Sequence, residues 1–198
     1  MKIIDELGGD INTSITEIEE QSLVDLYIEK EDVVLELGGR CGIVSCLINS
    51  KLNNKSNHVV VEPDDRVWNS LAVNKSVNNC NFYIVQGFIS RHKVNLTNKE
   101  ACNGYASYAI KDNKTPIHCY TLEEIAYKSN IKSFNVLVAD CEGCLEDFLN
   151  ENVDLCSDLR LVIYEADGGC NYDYIEKLLI GSGLDHVVKG LFNVFIKL

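Results

Sequence analysis

Apolar positions along the chain alternate between two periods. Short, nearly continuous apolar runs at 33–37, 58–62, 82–86, 134–140 and 159–165 have the length and composition of strands buried on both faces. Between them the spacing changes to that of helices: Leu23, Leu26 and Tyr27 within 14–30, a second segment over 42–52, then Val67, Trp68, Leu71 and Ala72 after the acidic start Pro63-Asp64-Asp65. Further helices are expected from Thr121 to about Ser129, around Leu145, Phe148 and Leu149, and around Tyr174, Ile175, Leu178 and Leu179. Thr16 to Glu19 and Thr121 to Glu124 both read as capping boxes. Two closing strands, 186–188 and 191–197, flank a Lys189-Gly190 turn.

This order predicts an α/β fold: a mostly parallel seven-stranded sheet with a C-terminal antiparallel hairpin and helices on both faces. At 198 residues it fits one domain, spanning 1–198. Residues 1–12 read as a loose leader. The pattern breaks over 87–116, with extended pieces near 93–97 and 105–110, and this segment is expected to face the substrate.

Charge narrows the partners. Thirty acidic against eighteen basic residues give a net charge of -12, which opposes nucleic acid and anionic membranes. The N-terminus has no signal-like apolar core and no run is long enough to span a bilayer, so a cytoplasmic location is expected. Nine cysteines without a secretion signal are expected to be reduced, and the Cys141-x-x-Cys144 spacing is read as packing ahead of a zinc or redox role.

Chemistry concentrates at the strand ends. Ligands of an open parallel sheet bind beyond its carboxyl edge, where Glu36, Gly38, Glu62, Gln86, Asp140 and Glu165 are expected to gather. The turn Gly38-Gly39-Arg40-Cys41-Gly42 lacks the G-x-G-x-x-G of dinucleotide sites. A carboxylate at Glu36 repels a pyrophosphate and attracts an ammonium and a sulfonium, which points to S-adenosylmethionine. Glu62, about twenty residues on, is placed to accept from both ribose hydroxyls; the alternatives are a helix-start carboxylate for Glu62 and a solvated strand end for Glu36. The expected cofactor contacts are Glu36, Gly38, Gly42, Glu62 and Gln86.

The ordered set Glu36-Leu37-Gly38-Gly39-Arg40-Cys41-Gly42, Val61-Glu62-Pro63, Tyr120 to Ile125, Asp140-Cys141-Glu142-Gly143 and Leu161 to Glu165 resembles the FkbM family of class I S-adenosylmethionine-dependent methyltransferases, over about 33–165. It departs from that family where Gly39-Arg40 replaces Ala-Asn and where Leu145 stands at a usual Glu. The resemblance implies a Rossmann-like fold and oxygen methylation of a sugar, glycan or natural-product hydroxyl.

Asp140 is the first candidate for the base and Glu142 the second, each with helix capping as its alternative. Asp140, Glu165 and Asp167 offer hard oxygen ligands to Mg2+, but no fixed ligand spacing appears and metal independence is expected. His92, His118 and Trp68 are read as packing or surface residues before catalytic or stacking ones. A sugar or small-molecule acceptor is expected, and the size of the domain is compatible with a homodimer. The rival readings are a non-catalytic protein that keeps the fold, a methyltransferase for a non-sugar small molecule, and an NAD-dependent reductase.

Overall fold

The computed structural model describes residues 1–97 and 107–197. Its main sheet has the order β10-β11-β9-β8-β1-β2-β3. The parallel centre is β1 (Val34–Leu37), β2 (His58–Glu62), β3 (Tyr83–Gln86), β8 (Val136–Ala139) and β9 (Leu161–Glu165), and the antiparallel end is β10 (Asp185–Val188) and β11 (Phe192–Ile196). The alternation and the terminal hairpin are those expected from the apolar pattern.

The strand pleat sorts side chains to the two faces. Leu35, Leu37, Leu137 and Ala139 point to a face covered by Ile125 of α4 (Leu122–Ser129), Phe148 and Leu149 of α5 (Leu145–Glu151) and Ile175 and Leu179 of α7 (Tyr172–Gly181). Val34, Val136 and Val138 point the other way, onto Val24 of α1 (Ile18–Tyr27) and Val44 and Ile48 of α2 (Ile43–Lys51). Leu71 of α3 (Trp68–Val77) closes that second face over Val60. Full burial of each such side chain contributes roughly 1.5–3 kcal/mol. A short α6 (Leu155–Asp158), which the pattern did not announce, leads into β9.

Three expectations need correction. The leader is not loose: Ile3 is buried, Ile4 bridges Asp10, and the Asn74 side chain both accepts from the Ile4 amide and donates to its carbonyl. The Thr16 capping box does not form, because Glu17 itself sits at the N-cap of α1 with φ 55° and turns its side chain inward. The box at Thr121 does form, with Glu124 N–H donating to Thr121 Oγ1 at 3.2 Å and Thr121 N–H donating to Glu124 Oε2 at 2.8 Å. Asp64 caps a turn through the Arg66 amide at 3.1 Å, and α3 starts only at Trp68.

Within the 87–116 segment, β5 (Val94–Thr97) pairs antiparallel with β6 (Tyr108–Lys111), and β4 (Phe88–Ile89) pairs with β7 (Cys119–Tyr120), which lies just beyond it. Part of the extended piece expected near 105–110 lies outside the described residues. Among the described residues no helix is long and apolar enough to cross a membrane.

Candidate functional site

A cavity of about 860 Å3, counted out to its open mouth, lies beyond the carboxyl ends of β1, β2 and β8. The glycine turn forms its floor. Gly38 has φ 90°, and a Cβ there would lie 1.7 Å from the Asp140 carbonyl oxygen, so the crossing of β1 past β8 admits only glycine. Gly38 N–H donates to Val61 O and Asp140 N–H donates to Leu37 O, which ties the turn to both neighbouring strand ends.

Glu62 is held with its carboxylate fixed. Its Oε2 accepts from the Arg40 amide and its Oε1 from the Asp64 amide, both at 2.6 Å. Each oxygen retains a lone pair for a ligand hydroxyl. Burial raises its pKa to about 7 despite those two amides. Asp64 behaves oppositely: burial pushes it up, but bonds from Arg66 outweigh that and its pKa is lowered.

The opposite wall is built of carboxyl groups that face one another. Burial first, then the charges of Glu165 and Glu142, raises the Asp140 pKa well above the usual carboxylate range, and Asp140 shares a hydrogen bond with Glu165. Glu142, raised to about 7 by burial and then by Asp167 and Glu165, borders both the cavity and a second, open groove that contains Glu165 and Asp167. Glu142 has φ 50° and Gly143 φ 85°, and Cys144 N–H donates to Cys141 O at 3.2 Å. Both central residues of this turn are therefore left-handed, which for Glu142 costs on the order of 1 kcal/mol.

Of the residues expected to hold the cofactor or do chemistry, Gly38, Glu62, Asp140 and Glu142 line the cavity. Glu36, Gly42 and Gln86 do not. Glu36 is 2% exposed, accepting from Ser45 Oγ at 2.8 Å and bonded to His58 Nε2 at 2.8 Å. The pleat places it under α2, so its carboxylate serves the packing of β1, β2 and α2. Gly42 is the N-cap of α2 with φ 86°, where a Cβ would meet Leu71 at 2.7 Å. Gln86 is exposed at the end of β3. Trp68 donates from Nε1 to the Glu62 carbonyl at 2.8 Å, the His118 ring lies tilted against Tyr120 with centroids 4.1 Å apart, and His92 lies 3.7 Å from Glu151. None of the three lines the cavity.

Among the lining residues that escaped the sequence reading, two are glutamates of the N-terminal region. Glu17 and Glu20 of the first helix point into the cavity, and burial raises Glu17 to about 7 and Glu20 well above its usual value. The signal was present: Glu17 and Glu20 share a helical face with the buried Val24, so a carboxylate occupies the apolar stripe. The cysteines also differ from expectation. Cys141 and Cys144 form a disulfide with Cα atoms 5.5 Å apart, while Cys41, Cys46, Cys80, Cys119, Cys156 and Cys170 are free. Asp140, Glu142 and Asp167 can bring carboxylate oxygens within 4.8 Å of one another, a donor set of the kind hard divalent cations accept.

A scan against protein-family models and a search of curated proteins find no match. Solved structures do match across nearly the whole chain. Precorrin-6y C5,15-methyltransferase from Geobacter metallireducens superposes with a TM-score of 0.57 at 11% identity, covering 94% of this chain and 92% of that one. Aeropyrum pernix fibrillarin with natively bound S-adenosyl-L-methionine gives 0.53 at 13%, covering 94% and 77%. Ribosomal protein L11 methylase from Lactobacillus delbrueckii subsp. bulgaricus gives 0.52 at 13%, covering 89% and 76%. The chain therefore has the Rossmann-like fold of the class I methyltransferases.

Proposed function

We propose that the protein is an S-adenosylmethionine-dependent methyltransferase acting on a hydroxyl of a sugar or other small polar molecule. The observation that carries the cofactor half is Glu62: a carboxylate at the end of β2, clamped by two backbone amides and open to a further pair of donors, suits a ribose diol. Gly38 brings no side chain to the cavity, and the acidic walls suit a ligand whose ammonium and sulfonium are positive. Asp64, with its lowered pKa, keeps charge on that side.

S-adenosylmethionine supplies an electrophilic methyl carbon. The protein's contribution is to align the acceptor oxygen with it and to take the proton. Asp140 is the base in this reading, since a carboxyl group with a raised pKa holds a proton better than an ordinary one. Glu142, at the junction of cavity and groove, orients the acceptor. The C–S bond breaks as the C–O bond forms, leaving S-adenosylhomocysteine, a methyl ether and a proton on the carboxyl pair.

The acceptor class rests on the FkbM-like motifs and on charge, because an acidic cavity in a chain of net charge -12 disfavours polyanions. Metal independence remains part of the proposal although Asp140, Glu142 and Asp167 approach one another. The test is transfer of labelled methyl from S-adenosylmethionine to a panel of sugars and sugar nucleotides, with and without EDTA. Wild type is expected to label a member of the panel in both conditions, and Asp140→Asn to bind the donor yet lose at least about a hundredfold in rate. Label appearing only with added Mg2+ contradicts metal independence, and unchanged rates in Asp140→Asn remove it as base.

A further inference from the structure

We infer that the Cys141–Cys144 disulfide is a reversible thiol–disulfide site that sets the position of Glu142 in the cavity wall. Both cysteines line the cavity and are half-buried, so a small dithiol entering by the mouth reaches the bond. The bond closes a loop of sequence separation 3. So short a ring removes little chain entropy from the unfolded protein, and its effect is local instead of global.

Locally it encloses the residues that matter. Inside the ring stand Glu142 and Gly143, both left-handed; on one side is Asp140 and on the other α5, whose N-cap is Cys144. Besides the disulfide, the turn has a hydrogen bond from Cys144 N–H to Cys141 O at 3.2 Å, one from Ala109 N–H of β6 to Glu142 O at 3.4 Å, and the Asp167 carboxylate facing the backbone N–H groups of Glu142 and Gly143. A left-handed glutamate is a conformation the chain leaves when released. Opening the ring frees Glu142 to swing out of the wall shared by cavity and groove, and loosens its contact with β6.

The chemistry balances with a dithiol as reductant. Its thiolate attacks one sulfur of the Cys141–Cys144 bond to give a mixed disulfide. Its second thiol then displaces the protein sulfur, so two electrons and two protons pass to the cysteines and the reductant leaves as a cyclic disulfide. Oxidation by a disulfide of the same class reverses the step.

Two readouts test this on the protein itself. Air-oxidised and dithiothreitol-reduced samples are alkylated and mapped by mass spectrometry, and their amide hydrogen exchange is compared over 107–111 and 140–146. The expected result is that 141 and 144 are blocked in the first sample and alkylated together in the second, with faster exchange in both segments after reduction. The second readout is titration with S-adenosylhomocysteine, which rests on the cofactor proposal above; reduction is expected to weaken binding about fivefold, the equivalent of roughly 1 kcal/mol. The Cys141→Ser/Cys144→Ser variant is expected to match the reduced protein and to ignore dithiothreitol. Free thiols at 141 and 144 in the oxidised sample, identical exchange in the two states, or a variant that still responds to dithiothreitol each overturn the inference. Absence of S-adenosylhomocysteine binding in every state counts against the cofactor proposal, and the exchange result still decides the redox one.

Discussion

The two ends of the sheet's carboxyl edge handle negative charge in opposite ways. On the β1–β2 side each carboxylate has a fixed donor set: Glu36 has Ser45 and His58, Glu62 has two backbone amides, and Asp64 has Arg66 and Arg40. On the β8–β9 side burial raises the pKa values of Asp140, Glu142, Glu165 and Asp167, as it does that of Glu62, but here Asp140, Glu142 and Glu165 are raised further by neighbouring carboxyl groups, while Asp167 accepts from Tyr172 Oη at 2.9 Å. The first arrangement holds its carboxylates fixed before any ligand arrives. The second stores a proton or awaits a cation. The proposed function assigns the methyl donor to the first and proton transfer to the second.

The sharpest break of this comparison is at its hinge. Gly38→Ala places a methyl group inside the Asp140 carbonyl and demands an unfavourable φ, so the two halves cannot keep their crossing. A loss of about 3 kcal/mol or more is expected, near 10 °C in Tm, by thermal denaturation followed with circular dichroism.

Next, Glu36→Ala separates support from contact. It strands the buried His58 and Ser45 groups and is expected to cost about 2 kcal/mol in urea unfolding. Binding of S-adenosylmethionine by the folded protein should stay within about twofold, since the Glu36 side chain does not reach the cavity. A tenfold loss would restore Glu36 as a ligand contact.

The smallest effect is in pH. Glu17 and Glu62 have folded pKa values of about 7, above the usual 4.5, so the folded state holds protons that the unfolded state has released. Their contribution favours folding below pH 4.5 and is lost as pH rises through 7. Between pH 6.5 and 7.5 these two groups should together lower stability by an amount on the order of 1 kcal/mol, read from urea midpoints. Donor affinity should move the other way, rising with pH as the walls ionise. Flat profiles for both would mean the carboxylates are not buried in the way described.

Much of this was legible in the sequence, for identifiable reasons. β1, β2, β8 and β9 are continuous apolar runs because both sheet faces are covered, and such runs have few other uses. Glu62 and Asp140 were legible because a strand end fixes where a side chain emerges. Glu36 stands one residue before the end of β1, and the period of two turns it from the rim to the α2 face. Its partner His58 opens β2 with no mark of its own. Thr16 and Thr121 head equivalent motifs, yet only the second becomes a cap; the first loses to the cavity's hold on Glu17. The docking of residues 1–12 depends on Asn74 and Asn78 some seventy residues away, a contact no local pattern encodes.

Calorimetric titration of S-adenosylmethionine into wild type and Glu62→Ala at pH 8 tests the central claim most directly. The account predicts saturable binding by wild type and a loss of tenfold to a hundredfold in the variant, as expected for about 1.5–3 kcal/mol of hydrogen bonding to a charged group. No binding by wild type, or equal affinity in the two proteins, would contradict it.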